Sequence, residues 1–170
     1  SPEAAFQALT MLQDVVERGT GEAVRNWGVR FPAGGKTGTT NEFKDAWFVG
    51  FSSAVVAAVW VGFDQPATIG REAYGARLAL PIWAEFMRTT SRRLVPAKFT
   101  APRTLRPLAL CKVSYLLPVD GCETYVEWMK PSDKDPDRLC DVHQGSWTQK
   151  AGRAIEGFWD AIKRRVFGRK

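Results

Sequence analysis

The chain has little of what most often carries metal or acid–base chemistry. It holds one histidine, His143, and three cysteines, Cys111, Cys122 and Cys140, in 170 residues. An odd set of cysteines leaves at least one thiol outside any pairing within the chain. No apolar run approaches the roughly 18 residues of a membrane span, and no basic and apolar leader opens the sequence. Ser1 is not an initiator methionine, which fits a piece of something longer. Acid is absent from Arg88 to Val119, where Arg88, Arg92, Arg93, Lys98, Arg103, Arg106 and Lys112 fall, while Asp120 to Asp141 is acid-rich. The net charge is +6. With no nucleic-acid motif beside it, the basic block reads as a solvated face or as an internal partner of the acidic block.

What is present is a globular composition, 45% hydrophobic, with no internal repeat. Pro2 to Arg18 predicts a helix capped by Ser1, with Ala5, Phe6, Leu9, Leu12 and Val16 on one face and Gly19 as its stop. Gly19-Thr20-Gly21 is a turn. Three strands follow, near Gly35–Thr40, Ala46–Ser52 and Ala54–Phe63. Their short connections favour antiparallel neighbours, and the continuous apolar third strand suggests burial on both faces. A second helix is expected to begin near Pro81, with Ile82, Trp83, Phe86 and Met87 on its apolar side. Pro96, Pro102 and Pro107 mark a linker. Beyond it lie a Cys-containing module and a helix over Arg153–Phe167. Trp128, Trp147 and Trp159 read as core or interface residues rather than a ligand platform.

The most informative stretch is Gly34-Gly35-Lys36-Thr37-Gly38-Thr39-Thr40-Asn41-Glu42. A Lys-Thr-Gly triplet on a strand is one of three signatures of penicillin-reactive serine acyl-transferases. Asp45-Ala46-Trp47-Phe48-Val49-Gly50 and Val59-Trp60-Val61-Gly62-Phe63-Asp64 follow in order. Together they resemble the C-terminal half of the transpeptidase domain of class A penicillin-binding proteins. The resemblance covers about residues 1–94 and extends weakly to about 143, with Phe43 and Ser52-Ser53 as minor departures. It implies an α+β fold, the C-terminal half of the serine β-lactamase/penicillin-binding transpeptidase fold, with antiparallel strands flanked by helices. Residues 1–94 would be that portion, 95–107 a Pro-rich linker, and 108–170 a Cys-containing tail with a terminal amphipathic helix.

By the same resemblance, Lys36 and Thr39 are catalytic residues, and Thr37, Gly38, Thr39 and Thr40 bind substrate. Lys36 raises the positive potential of the site floor. The Thr37 and Thr39 hydroxyls hold the carboxylate of a D-Ala-D-Ala stem peptide or a β-lactam. The Thr39 N–H serves as one oxyanion donor, and Gly38 leaves room for substrate against the backbone. Thr40, Asn41, Asp45 and Trp47 support the strand turn, Asp45 as a structural residue rather than a catalyst. No cofactor is implied.

Two signatures of the family are not in this sequence. None of Ser1, Ser52, Ser53, Ser91, Ser114, Ser132 and Ser146 has Lys three places on, and neither Asn26 nor Asn41 has Ser two places before it. The expected partners are therefore a segment bearing Ser-x-x-Lys and Ser-x-Asn, the peptidoglycan stem peptide and β-lactams, with no nucleic acid. The chain by itself is expected to lack acylation chemistry and to be poorly stable. The alternative is a non-catalytic module that binds stem peptides or a partner. The family places its transpeptidase domains on the extracytoplasmic face of the bacterial membrane, where thiols oxidise. One disulfide plus a spare thiol is then expected, with Cys111–Cys122, the shorter loop, favoured among three open pairings and free thiols as an alternative. The spacing C-x10-C-x17-C-x2-H also admits a metal site of Cys111, Cys122, Cys140 and His143. His143 is not expected to act as a catalytic base.

Overall fold

Helix α1, Pro2–Glu17, starts at the expected cap: Ser1 Oγ accepts the Ala4 N–H at 3.4 Å. Pro2 sits in the first turn, where no intrahelical N–H is required. Phe6 and Val16 of its apolar face are buried, whereas Ala5 is exposed. The computed structural model describes residues 1–143, so the helix expected over Arg153–Phe167, Trp147 and Trp159 lie outside the described residues.

The chain divides into two compact units, Ser1–Pro102 and Arg103–Lys170, a division that falls within the Pro-rich stretch. In the first, β1 (Gly34–Thr39), β2 (Asp45–Phe51) and β3 (Val56–Gly62) form an antiparallel sheet in the order β1-β2-β3. The register sets Gly38 opposite Trp47 and Trp47 opposite Trp60. The β1–β2 connection carries Glu42 and Phe43 at φ of 62° and 53°, a left-handed corner that non-glycine residues adopt only when held. Here Phe43 packs edge-on against Tyr74 at 5.0 Å, and its carbonyl accepts the Ile69 N–H. α1 packs against β1. Helix α2, Gly75–Thr90, packs across β2 and β3. The α+β architecture, antiparallel strands with flanking helices, is the expected one.

Two local expectations are corrected. α2 begins six residues before Pro81, which stands inside it. A proline there removes one helical hydrogen bond and costs about 3 kcal/mol. The full burial of Leu80, Trp83 and Met87 offsets this, at roughly 1.5–3 kcal/mol per large apolar side chain. Its apolar face is Ala79, Leu80, Trp83, Ala84 and Met87, while Ile82 and Phe86 are half exposed. The second correction concerns β3, which is not buried on both faces. Ala57, Val59 and Val61 pack on the core, but Val56 is 73% exposed and Trp60 41%. α2 covers one face only, so the strand alternates although its sequence does not.

The core of this unit joins Val16, Val24, Val29, Phe48, Leu80, Trp83 and Met87. The Phe48 and Trp83 rings meet at 4.9 Å, and they fix α2 on the sheet.

In the second unit, β4 (Arg106–Cys111) and β5 (Thr124–Met129) form an antiparallel pair, and β4 takes Arg106 and Pro107 from the stretch read as linker. An isolated bridge, Leu117 to Leu139, ties in the following chain. Basic and acidic blocks meet here, Arg106 with Asp135 and Lys112 with Glu123. Among the described residues the buried cluster is small: Cys111, Val119 and Cys140, flanked by Cys122 and Leu139.

Candidate functional site

β1 pairs with β2 on one side and with no other strand among the described residues. The Thr40 N–H donates to the Asp45 carbonyl at 3.2 Å, which sets the phase of the ladder. Antiparallel bonding alternates, so Gly38 and Lys36 exchange bonds with β2 while the N–H and C=O groups of Thr37 and Thr39 face the open edge. Lys36 confirms this phase: its Nζ folds back and donates to the Thr37 carbonyl at 2.9 Å.

The side chains of Thr37 and Thr39 share one face. Thr37 Oγ1 lies 3.1 Å from Thr20 Oγ1, and Thr39 Oγ1 accepts the Gly75 N–H at 3.1 Å. A hydroxyl that accepts from a backbone N–H keeps its own proton free to donate. Both threonines border a groove of about 450 Å³, walled by Thr20, Trp27, Tyr74, Ala76 and Arg77. The groove thus opens beside an edge with two outward N–H groups and two hydroxyls. That arrangement can hold a carboxylate and bond an extended peptide as an added strand.

Gly75 makes this geometry possible. A Cβ there would stand 2.2 Å from the Trp47 carbonyl oxygen and 2.7 Å from that of Gly38. Only a residue without a side chain lets the first turn of α2 reach Thr39. Sequence reasoning passed over Gly75, because its partner is 36 residues away. It placed Thr20 only in the Gly19-Thr20-Gly21 turn, with no contact to β1, and passed over Trp27, Tyr74 and Arg77.

Lys36 is exposed and lies along the strand edge rather than in the groove wall, with no carboxylate within ion-pair reach among the described residues. Thr40, expected to bind substrate, is committed elsewhere. Its hydroxyl accepts the Asp45 N–H at 2.9 Å and donates to Asp45 Oδ2 at 3.1 Å. Asp45 Oδ1 also accepts the Trp60 indole N–H at 2.8 Å. Both oxygens of Asp45 are occupied structurally, which agrees with the role expected of it.

In the second unit, the expected Cys111–Cys122 disulfide is not formed, and all three cysteines are free thiols. Their sulfurs and the His143 ring nitrogen lie within 4.8 Å of one another. Burial pushes the Cys140 thiol up, but hydrogen bonds with Ser114 and His143 outweigh it and bring the group down to about 5. Cys140 in turn holds the His143 imidazole above its ordinary range.

Residues 1–88 match the model of the penicillin binding protein transpeptidase domain. Penicillin-binding protein 1A of Pseudomonas aeruginosa is 53% identical over 83 residues, which is 49% of this chain and 10% of that protein. The corresponding protein of Neisseria gonorrhoeae is 48% identical over 87 residues, 51% of this chain and 11% of that one. Among solved structures, penicillin-binding protein 1A from Haemophilus influenzae shares the fold with a TM-score of 0.68 at 28% identity. That match covers 81% of this chain and 21% of the Haemophilus chain. The chain spans about a tenth of the length of the curated relatives it matches. The Lys36-Thr37-Gly38 strand, Gly75 and the groove between them all fall within the matched residues, and the chain belongs to the penicillin-binding protein transpeptidase family, of the class A kind.

Proposed function

We propose that this chain supplies the substrate-holding strand of a peptidoglycan D,D-transpeptidase, which binds penicillin and cross-links stem peptides through an acyl-serine intermediate. One observation carries the reading: the hydroxyls of Thr37 and Thr39 face the groove while their backbone groups face the open edge of β1. A D-Ala-D-Ala stem ends in a carboxylate, and a β-lactam carries one in a comparable place. The Thr37 and Thr39 hydroxyls donate to it. The Thr39 N–H is the oxyanion donor, and one such donor contributes roughly 2.7–4 kcal/mol to the transition state. Lys36 supplies positive potential at the edge. Thr40 acts through the turn, by holding Asp45, and does not touch substrate.

The nucleophilic serine attacks the penultimate D-Ala carbonyl, the terminal D-Ala leaves, and an amine of a second stem takes the acyl group. That serine belongs to a Ser-x-x-Lys segment, the partner this strand requires, as does a Ser-x-Asn segment. The setting is the outer face of the bacterial cytoplasmic membrane. Among the described residues no helix is long and apolar enough to cross a membrane.

A chimera tests the proposal. Residues 1–88 replace the matched stretch of the Pseudomonas penicillin-binding protein 1A, and fluorescent penicillin is added. Covalent labelling of the chimera, with none of the 170-residue chain alone, is expected. A folded chimera that binds stem peptide but never acylates would support the non-catalytic binding module instead.

A further inference from the structure

We infer that Cys111, Cys122, Cys140 and His143 form a structural zinc site that organises the second unit. The four residues come from three places. Cys111 ends β4, Cys122 closes a turn in the β4–β5 connection, and Cys140 and His143 follow the Leu117–Leu139 bridge. Independent segments converging on one point need a reason, and the small apolar cluster does not provide it.

The distances give the reason. His143 Nδ1 stands 3.4 Å from Cys111 Sγ, 3.4 Å from Cys122 Sγ and 3.2 Å from Cys140 Sγ. Cys140 Sγ lies 3.6 Å from Cys111 Sγ. A zinc ion with sulfur at about 2.3 Å and nitrogen at about 2.0 Å in a tetrahedron puts its ligands roughly 3.5–3.8 Å apart. A disulfide would require about 2.05 Å between two sulfurs and would leave the imidazole without a role. The match is to a shared ion.

The surroundings fit as well. Each sulfur receives a backbone N–H: Val113 to Cys111 at 3.4 Å, Val119 to Cys122 at 3.3 Å, and His143 to Cys140 at 3.4 Å. Such donors orient thiolates and stabilise their charge, as outer partners of a metal centre do. Cys111 and Cys140 are buried, so solvent reaches the centre poorly. Three thiolates and one imidazole in a closed tetrahedron are a structural rather than catalytic set, because no position is left for water or substrate. A two-stranded ribbon is marginal by itself, and small units commonly rely on a metal in place of a core. The oxidising setting expected for the family argued for a disulfide. Bound thiolates are shielded from that oxidation, which removes the conflict.

The test uses the full 170-residue chain, purified from zinc-supplemented medium without chelator. One zinc per chain by elemental analysis is expected, with thiols unreactive until a chelator is added. Replacement by cobalt should give thiolate-to-cobalt charge-transfer absorption with tetrahedral visible bands. His143→Ala should lower zinc affinity at least tenfold. His143→Cys, which keeps four ligands, should retain the metal and shift the cobalt spectrum, so a folding defect in the first variant does not decide the matter. A chain without zinc whose mass is lower by two hydrogens would overturn the inference in favour of a disulfide. Iron in place of zinc, or zinc that survives the combined loss of Cys111, Cys140 and His143, would overturn it too.

Discussion

The Thr39 hydroxyl accepts the backbone N–H of Gly75 at 3.1 Å, and this bond locks β1 to the first turn of α2. It forms across a gap that no Cβ could enter. Gly75→Ala should therefore push α2 away from β1 and β2 and lose the bond. Overpacking of this kind costs about 1–3 kcal/mol. Urea denaturation should show it, and the variant chimera should acylate more slowly. Unchanged stability and unchanged labelling would mean that the close approach is unimportant.

Thr39→Val removes the hydroxyl at nearly constant volume, whereas Thr39→Ser keeps it. A hydrogen bond to a charged group is worth about 1.5–3 kcal/mol, or roughly 10–150-fold in rate. Penicillin acylation of the valine chimera should slow by that factor, with the serine variant close to the parent. Equal rates for valine and serine would remove Thr39 from the carboxylate site.

Asp45 serves two donors, Thr40 Oγ1 and Trp60 Nε1. Asp45→Ala should destabilise the first unit by about 1–3 kcal/mol. Trp60→Phe should lose part of that alone and add little on the Asp45→Ala background. A double-mutant cycle measures the coupling, and strict additivity would show that the indole bond contributes nothing.

Chelation should act on one unit only. With zinc removed, amide protection should vanish from β4 and β5 and persist in β1–β3 and α2. The first unit has its own core around Trp83 and Phe48, while the buried cluster of the second, among the described residues, is built around its cysteines. Uniform loss or uniform retention of protection in hydrogen exchange would contradict this.

Acid should release the same ion. Protons and zinc compete for the thiolates, so affinity falls as pH falls. Zinc retention near neutrality with release on acidification is the expected profile. Release on raising the pH would have the wrong sign.

Much of this was legible in the sequence because it is local. Ser1 and Pro2 announce α1, and the Lys36-Thr37-Gly38 run with its aromatic sequel announces the β1–β2–β3 meander. What stayed hidden depends on partners distant in the chain. Pro81 reads as a start by local rules, yet Trp83 and Leu80 carry the helix through it. Val56 and Trp60 look buried in a run of Val and Ala, but burial depends on what covers each face. Thr40 belongs to the motif by spelling and to Asp45 by hydrogen bonding. The cysteine spacing admitted both a disulfide and an ion, and only the shared approach to His143 separates them.

The Asp45 carboxylate, on the first residue of β2, ties Thr40 just past the end of β1 to Trp60 of β3. It works as a brace next to the edge where a ligand would dock. A strand held this way has given up its flexing freedom during folding. Little entropy then remains to be lost when a peptide or drug arrives, and that loss is one of the main costs of association. A rigid edge can bind firmly through a few hydrogen bonds, and loosening a residue that never meets the ligand should weaken binding through entropy alone.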